Sequence, residues 1–404
     1  MKLVFNQNTV LKINNSLNNR LSVVICWTIF MLFLDTSAYI LESVTGITYQ
    51  TVSLFSWVST FLLLLFNFSL ILKSVDKKVL LIFVILIFIF LLNYLYFGYS
   101  EGFAFSARRF FLKVLPIVIV CCSIKNFDIL LHYLNLVSKV VLIFSLVVTI
   151  VSRNNMTTTY NMGFSYSLLL PIILLIFNYY NAKHFKTLLF ILAGILSILL
   201  TGARGPFLGI VFVIVILFLK NIVTPKNFLL KFTIVFLFIS CLFVHKIVLQ
   251  SLIEITNSLG WYSRTLYLLY NDAYHDSGRL YIYQAILDEL DRNPFKIHGI
   301  AGEYEFTGGM YAHNFILELL CGLGIIFGSL VVIYIVFRIA RTIWNFIKKD
   351  SSFNFCSCAF LAASVPSLLV SGTIWGNAYF WIWLLLFENG QTKSVRNNDL
   401  LPKN

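Results

Sequence analysis

Long apolar runs, each about the length of a membrane-spanning helix, recur along the chain. About 20 mostly apolar residues cross the hydrocarbon core of a bilayer as an α-helix, and the sequence contains about twelve such runs. The fourth and seventh are short, and the fifth carries His132 and Lys139. The predicted spans are 21–40, 51–72, 79–97, 108–124, 132–152, 162–180, 187–203, 205–220, 228–249, 314–337, 353–371 and 374–388.

Composition supports the same fold class. The 404 residues are 59% hydrophobic and 17% aromatic but only 12% charged, whereas soluble domains are about a quarter charged. A soluble core of this size cannot hide 40 phenylalanines. The sequence therefore predicts an all-α polytopic membrane protein in the lipid bilayer, and it excludes a cytosolic enzyme, a disordered chain and a nucleic-acid binder.

Basic residues orient the predicted spans. With the N-terminus in the cytoplasm, alternating spans place most of the 30 lysines and arginines on inner segments, as the positive-inside rule requires. This arrangement predicts a multi-pass protein of the inner (plasma) membrane with both termini cytoplasmic. It divides the chain into nine spans (1–249), a large extracytoplasmic loop with short helices (250–313), three further spans (314–390) and a cytoplasmic tail (391–404).

The predicted outer face is rich in arginine, which the topology rule does not explain. Arginine grips phosphate with a fixed, bidentate fork, so these residues are candidates for binding a phosphate-bearing ligand. The alternative is interfacial snorkelling or pairing with acidic residues of the loop. The outer basic residues are Arg108, Arg109, Lys113, Arg153, Arg204, Arg264, Arg279, Arg292 and Lys296.

One amphipathic helix is predicted inside the large loop, over residues 280–290. Asp276 or Ser277 is expected to cap its start, and Asn293-Pro294 its end. Arg279 falls in the first turn, where free backbone N–H groups already favour an anion. The apolar positions at helical spacing are Leu280, Tyr283, Ile286, Leu287 and Leu290.

Two further short motifs contain candidate functional residues. A tight turn at 201–206 interrupts an apolar stretch and leaves Arg204 at its tip. His313 and Asn314 lie where the loop enters the next span. Asn314 suits a helix N-cap, and a neutral histidine there can accept a proton from a hydroxyl; the alternative is a histidine that is simply satisfied at the interface.

Three of these motifs, in this order, resemble elements of the O-antigen polymerase and O-antigen ligase family of bacterial envelope glycan assembly. Ala203-Arg204-Gly205 is similar to that family's Ser-Arg-Gly element, with alanine for serine. The second element combines Gly278-Arg279, the following helix, Asn293-Pro294 and Gly299. The third, from His313-Asn314 to Gly324, looks like the family's His-Asn…Leu…Leu…Gly signature.

The resemblance implies a membrane-embedded, metal-independent glycosyltransferase without cofactor. Its donor and acceptor would be undecaprenyl-diphosphate-linked oligosaccharides at the outer face, and a flippase and a chain-length regulator would be its pathway partners. Carried over by position, Arg204 and Arg279 would hold the diphosphate, and His313 would deprotonate the acceptor hydroxyl. Arg108, Arg109, Arg264 and Asn314 are secondary candidates.

Three functions remain open at this point. A polymerase of O-antigen, capsule or exopolysaccharide repeat units is favoured over a ligase that moves finished glycan to lipid A core or another acceptor, such as a protein. A lipid-linked sugar flippase or transporter is disfavoured, because the spans show no clear internal repeat and few acidic residues.

The outer loop also lacks an Asp-x-Asp metal motif, and the seven cysteines lie in or beside apolar runs.

Overall fold

The computed structural model describes residues 7–152, 161–201, 203–223, 246–258, 260, 263–271 and 278–386. Within these ranges all regular structure is helical. The helices are α1 (Gln7–Thr45), α2 (Tyr49–Ser74), α3 (Lys77–Phe97), α4 (Glu101–Arg109), α5 (Leu115–Cys122), α6 (Phe127–Val151), α7 (Met162–Ser167), α8 (Leu169–Ala182), α9 (Phe185–Thr201), α10 (Gly205–Val223), α11 (246–258), α12 (Arg264–Tyr270), α13 (Arg279–Arg292), α14 (Phe315–Lys348), α15 (Ser352–Leu368) and α16 (378–386).

Helix length and hydropathy confirm an integral membrane protein. Six described stretches are long and apolar enough to cross a bilayer: Ser16–Glu42 of α1, helices α2, α3, α6 and α14, and Met162–Ala182, which combines α7 and α8. Helices α9 and α15 and most of α10 are apolar but shorter. The predicted count of twelve spans therefore exceeds what the described helices support by length and composition.

Several predicted boundaries change in the structure. The run predicted as 108–124 belongs to a continuous helical segment in which the π-helical turn Phe110–Val114 joins α4 to α5. The span predicted as 314–337 continues to Lys348, and the one predicted from 374 begins as a 3-10 turn, Ile374–Gly376, before α16. The predicted span 228–249 lies largely outside the described residues, apart from the start of α11.

Helix α15 lies at the centre of the bundle. Its side chains from Asn354 to Leu368 are all buried, and it contacts α6, α8, α10 and α14. Its many Ala, Ser and Cys residues let neighbouring helices approach closely. Helices α2 and α3 instead expose rows of large apolar side chains, as expected of helices that face lipid.

A backbone contact joins the segment after α13 to the first turns of α14. Helix α14 bends at Gly324, whose φ of 73° and ψ of 162° are essentially restricted to glycine. The N–H groups of Gly299 and Ile325 donate to the carbonyl oxygens of Gly322 and Pro294, each at 2.9 Å. A Cβ on Gly322 would lie only 2.9 Å from the carbonyl oxygen of Gly299. These glycines therefore allow α13 to be tied closely to α14.

The predicted amphipathic helix is present as α13, and its buried side includes most of the predicted apolar positions. Ile286 and Leu290 are buried, and Tyr283 packs against them. Ile282 is buried as well, whereas Leu280 and Leu287 are 54% and 52% exposed. The packing against α14 therefore decides which of the apolar residues are buried.

The ends of α13 follow the prediction only in part. Asn293 is the C-cap, as predicted, and its N–H donates to the carbonyl of Glu289. The N-cap is Gly278, with a φ of 79° and no side-chain hydrogen bond. The predicted capping residues, Asp276 and Ser277, lie outside the described residues.

Candidate functional site

The backbone at His313 is in a conformation that a histidine rarely adopts. Its φ is 53°, in the left-handed region that costs a residue with a Cβ about 1–2 kcal/mol. The next residue, Asn314, caps α14 by accepting from the N–H of Ile316 at 2.9 Å. The cap and the left-handed residue before it turn the chain sharply into the helix. Asn314 thus acts as the predicted N-cap, a structural role.

The imidazole of His313 is kept neutral by its surroundings. Its ring lies against that of Tyr311, with centroids 4.0 Å apart. Burial and, to a smaller extent, the positive charge of Arg279 lower the pKa of His313 from 6.5 to about 4. Its Nδ1 atom is buried and has no hydrogen-bond partner among the described residues. A neutral imidazole with an uncommitted ring nitrogen can accept a proton.

Arg279 is the first residue of α13, as the sequence predicted. The glycine before it is the N-cap of the helix and makes no side-chain hydrogen bond. Arg279 is half-buried and its charge acts on both His313 and Tyr311. An anion at this helix start would meet the positive end of the helix dipole and a guanidinium together.

Arg109, the last residue of α4, belongs to the same cluster although it lies far from Arg279 and His313 in the sequence. Its guanidinium carbon lies 4.0 Å from the centroid of the Phe105 ring. Burial raises the pKa of Tyr311, and the charges of Arg109 and Arg279 lower it, which is the sign expected of two cations within electrostatic range of one phenol. Tyr311 is thus within electrostatic range of two arginines, and its ring packs against that of His313.

A polar cavity of about 300 Å³ adjoins the cluster. Arg109 and Lys113 line it one helical turn apart, together with hydroxyl groups that include those of Tyr166 and Ser371. Lys113 Nζ lies 3.2 Å from Asp35 Oδ2. Ser371 also interacts with the side chain of Tyr311, so one residue of the cavity wall contacts the His313 cluster.

Arg204 precedes a glycine that packs against one residue of the cavity wall. It occupies the bend before α10, and the following residue, Gly205, packs so closely against the Tyr166 hydroxyl that a Cβ would overlap it. Tyr166 lines the cavity. The glycine of the Arg-Gly motif is therefore required by packing, and the motif reaches the cavity through Tyr166.

The remaining candidates are placed differently. Arg108 is exposed and does not line the cavity, because it points away from the helix face that carries Arg109. Arg264 is the first residue of α12, where Ser263 is the N-cap. The structure therefore groups Arg109 with Arg279 and His313 and leaves Arg108 outside this group, whereas the side chain of Arg264 lies outside the described part of the chain.

Glu318 was missed by the sequence analysis. It is buried in the first turn of α14 and accepts hydrogen bonds from the Thr373 hydroxyl and from the N–H of Ile374, the latter at 3.1 Å. This holds the turn 374–376 against α4, where a Cβ on Gly376 would lie 3.2 Å from Arg109 Cδ. An acidic residue five positions after His313, at the start of a membrane helix, was the available signal.

Glu303 is a second buried carboxyl group close to Glu318. It is 1% exposed, and burial raises its pKa from 4.5 to about 7. It lies in the 3-10 turn Gly302–Glu305, which packs on α4 and α14. Two carboxyl groups in one desolvated region disfavour double ionisation, so this region is expected to hold a proton near neutral pH.

Removing the charge of Arg279 should raise the pKa of His313. In Arg279→Gln we expect that pKa to move upward from about 4 towards 6.5, because a nearby cation disfavours the imidazolium. Imidazole NMR signals of isotopically labelled histidine, assigned by their loss in His313→Ala, measure the shift. Arg292→Gln, at the far end of α13 and about 20 Å away, is the control and should leave it unchanged. An unaltered pKa in Arg279→Gln would contradict the electrostatic link.

Comparison with protein families matches residues 188–333 to the family described as O-antigen ligase. The matched segment includes Arg204, Arg279 and His313. This match confirms, over this part of the chain, the resemblance seen in the sequence motifs. The family description supports a glycosyltransferase-like enzyme. No curated protein matches the chain significantly.

Proposed function

We propose that this chain is a membrane-embedded polymerase of undecaprenyl-diphosphate-linked oligosaccharide repeat units. It transfers the growing glycan of one lipid-linked chain to a sugar hydroxyl of another at the outer face of the membrane. The observation that carries the proposal is a neutral, half-buried imidazole with an uncommitted nitrogen that feels the charge of Arg279 and packs on Tyr311, a phenol within range of both Arg279 and Arg109. That arrangement suits an acceptor hydroxyl next to an anionic leaving group.

The reaction needs one base and one cationic site. The acceptor oxygen forms a bond to the anomeric carbon of the donor, and its proton passes to the imidazole of His313. The bond between that carbon and the diphosphate oxygen breaks, and its electron pair leaves with the diphosphate. Binding of the dianionic group beside His313 raises the pKa of the imidazole, because the anion offsets the charge of Arg279, and so strengthens it as a base.

Arg279 and Arg204 bind the diphosphate in this proposal, and Arg109 contributes from the opposite wall. Negative charge on the leaving group grows as the glycosidic bond breaks, so cations fixed beforehand lower the barrier. With guanidinium groups in this role we propose that transfer proceeds without a bound metal ion or cofactor.

The description of the matched family favours a second candidate, an O-antigen ligase. Both reactions use the same donor and the same leaving group, and they differ in the acceptor. A ligase passes finished glycan to lipid A core or to another acceptor, whereas a polymerase extends a lipid-linked repeat unit. In either case we propose an inner-membrane location with both termini cytoplasmic, and cooperation with the flippase and the chain-length regulator of the same pathway.

Deletion of the gene followed by gel analysis of surface and lipid-linked glycan tests the proposal. For a polymerase we expect surface glycan reduced to single repeat units, because assembly stops before elongation. Full-length chains retained on the lipid carrier would instead identify a ligase. Unchanged glycan in both fractions would contradict both functions.

A further inference from the structure

A second polar cleft lies along α13, away from the His313 cluster. It has a volume of about 330 Å³ and is lined chiefly by Tyr281, Gln284, Asp288, Glu289, Arg292 and Phe306. The first five belong to α13 and recur three or four positions apart, so they lie on one side of the helix. The opposite side carries the buried Ile282 and Ile286.

One wall of the cleft is held in place by hydrogen bonds and ion pairs. Glu289 Oε1 lies 3.2 Å from Nε2 of the buried His298 and 3.1 Å from the amide Nδ2 of Asn293. Lys296 Nζ approaches the same oxygen at 3.8 Å. The His298 ring packs edge-on against Phe306. Glu289 and Phe306 therefore share the buried His298 as a neighbour, which places a carboxylate and an aromatic ring on the same wall of the cleft.

The other wall is open to solvent and chemically mixed. Tyr281 is 60% exposed, and Gln284, Asp288 and Arg292 are exposed as well. The cleft thus offers hydrogen-bond donors, acceptors and two aromatic rings. A sugar ring presents hydroxyl groups that both donate and accept, and a C–H face that packs on an aromatic ring. A simple anion would not use the carboxylates or the rings.

We propose that this cleft is a sugar-binding subsite for the glycan portion of the lipid-linked substrate, an inference that rests on the proposed function. Arg279 begins the same helix, and the cleft residues follow it from position 281 to 292. At 1.5 Å per residue this places the cleft from about 3 Å to about 20 Å along the helix axis from the diphosphate-binding end. The glycan attached to the diphosphate therefore extends along α13. Tyr281, Gln284 and Asp288 contact the sugar there and select it.

The test separates sugar binding from catalysis. The probe is the free repeat-unit oligosaccharide, released by mild acid from lipid-linked material of cells that carry the gene, and the measurement is saturation-transfer NMR with the purified full-length protein. We expect wild type and His313→Ala to bind it equally. The double variant Tyr281→Ala with Asp288→Asn should bind it about tenfold more weakly, through loss of a ring contact and a hydrogen bond.

Leu287→Ala is the matched control, because Leu287 is exposed on α13 and does not line the cleft. It should bind like wild type. Equal binding by wild type and the double variant, or no binding by wild type, would overturn the subsite and leave the proposed function standing. Normal product from His313→Ala would refute His313 as the base, whatever the binding result, and unchanged glycan after deletion of the gene would overturn the proposed function.

Discussion

Replacing His313 by alanine is expected to abolish polymer formation while the protein still inserts into the membrane. The variant removes the proposed base, and loss of general base catalysis costs typically about 10²–10⁴-fold in rate. The backbone at His313 is in the left-handed region, which alanine tolerates about as well as histidine does, so no further fold defect is expected. Glycan gels and transfer rates with lipid-linked substrate measure the effect.

Two controls isolate the chemical role of His313. His184→Ala changes an exposed histidine after α8 and should retain wild-type product. Imidazole added to His313→Ala should restore part of the activity, because the small base can occupy the vacated space beside Tyr311. A structural histidine would show no such rescue. Wild-type glycan from His313→Ala at normal protein levels would refute the site assignment.

Arg279→Ala is expected to have the second large effect. Loss of one preorganised donor to a developing anion costs about 10²–10³-fold in kcat, and Arg279 supplies a charge at the helix start. Arg279→Lys should fall between alanine and wild type, because lysine keeps the charge and loses the bidentate fork. The loss should appear mainly in kcat, since the interaction strengthens as the diphosphate departs.

The pH profile gives an independent readout of the same variant. In wild type the pKa of His313 is about 4. As the pH is lowered, protonation of His313 should therefore reduce kcat/KM only when the pH approaches that value. In Arg279→Ala the pKa of His313 is higher. As the pH is lowered, the residual activity of this variant should therefore begin to fall at a higher pH than that of wild type. Arg341→Ala, exposed near the other end of α14, is the control and should retain both rate and profile. An unchanged rate in Arg279→Ala would rule out its proposed role.

Local sequence signals identified the elements that carry the candidate site. The apolar period and Asn293-Pro294 predicted α13, and Asn314 was predicted and found to cap α14. These features depend on neighbours within about one helical turn, so the residues themselves contain the information. The same signals left the number of spans open, since hydropathy measures burial in lipid and burial in protein alike, and six described stretches meet the length and composition of a span.

The sequence alone determined that the chain lies in a membrane, that it is helical, and that Arg204, Arg279 and His313 are the residues to examine, because composition, helical period and short motifs are local properties. Only the tertiary structure decided that Arg109 joins Arg279 around Tyr311, that Glu318 holds the turn at Thr373, and which side of α13 is buried. Those contacts join residues far apart in the chain, and they depend on how whole helices pack, which no local pattern encodes.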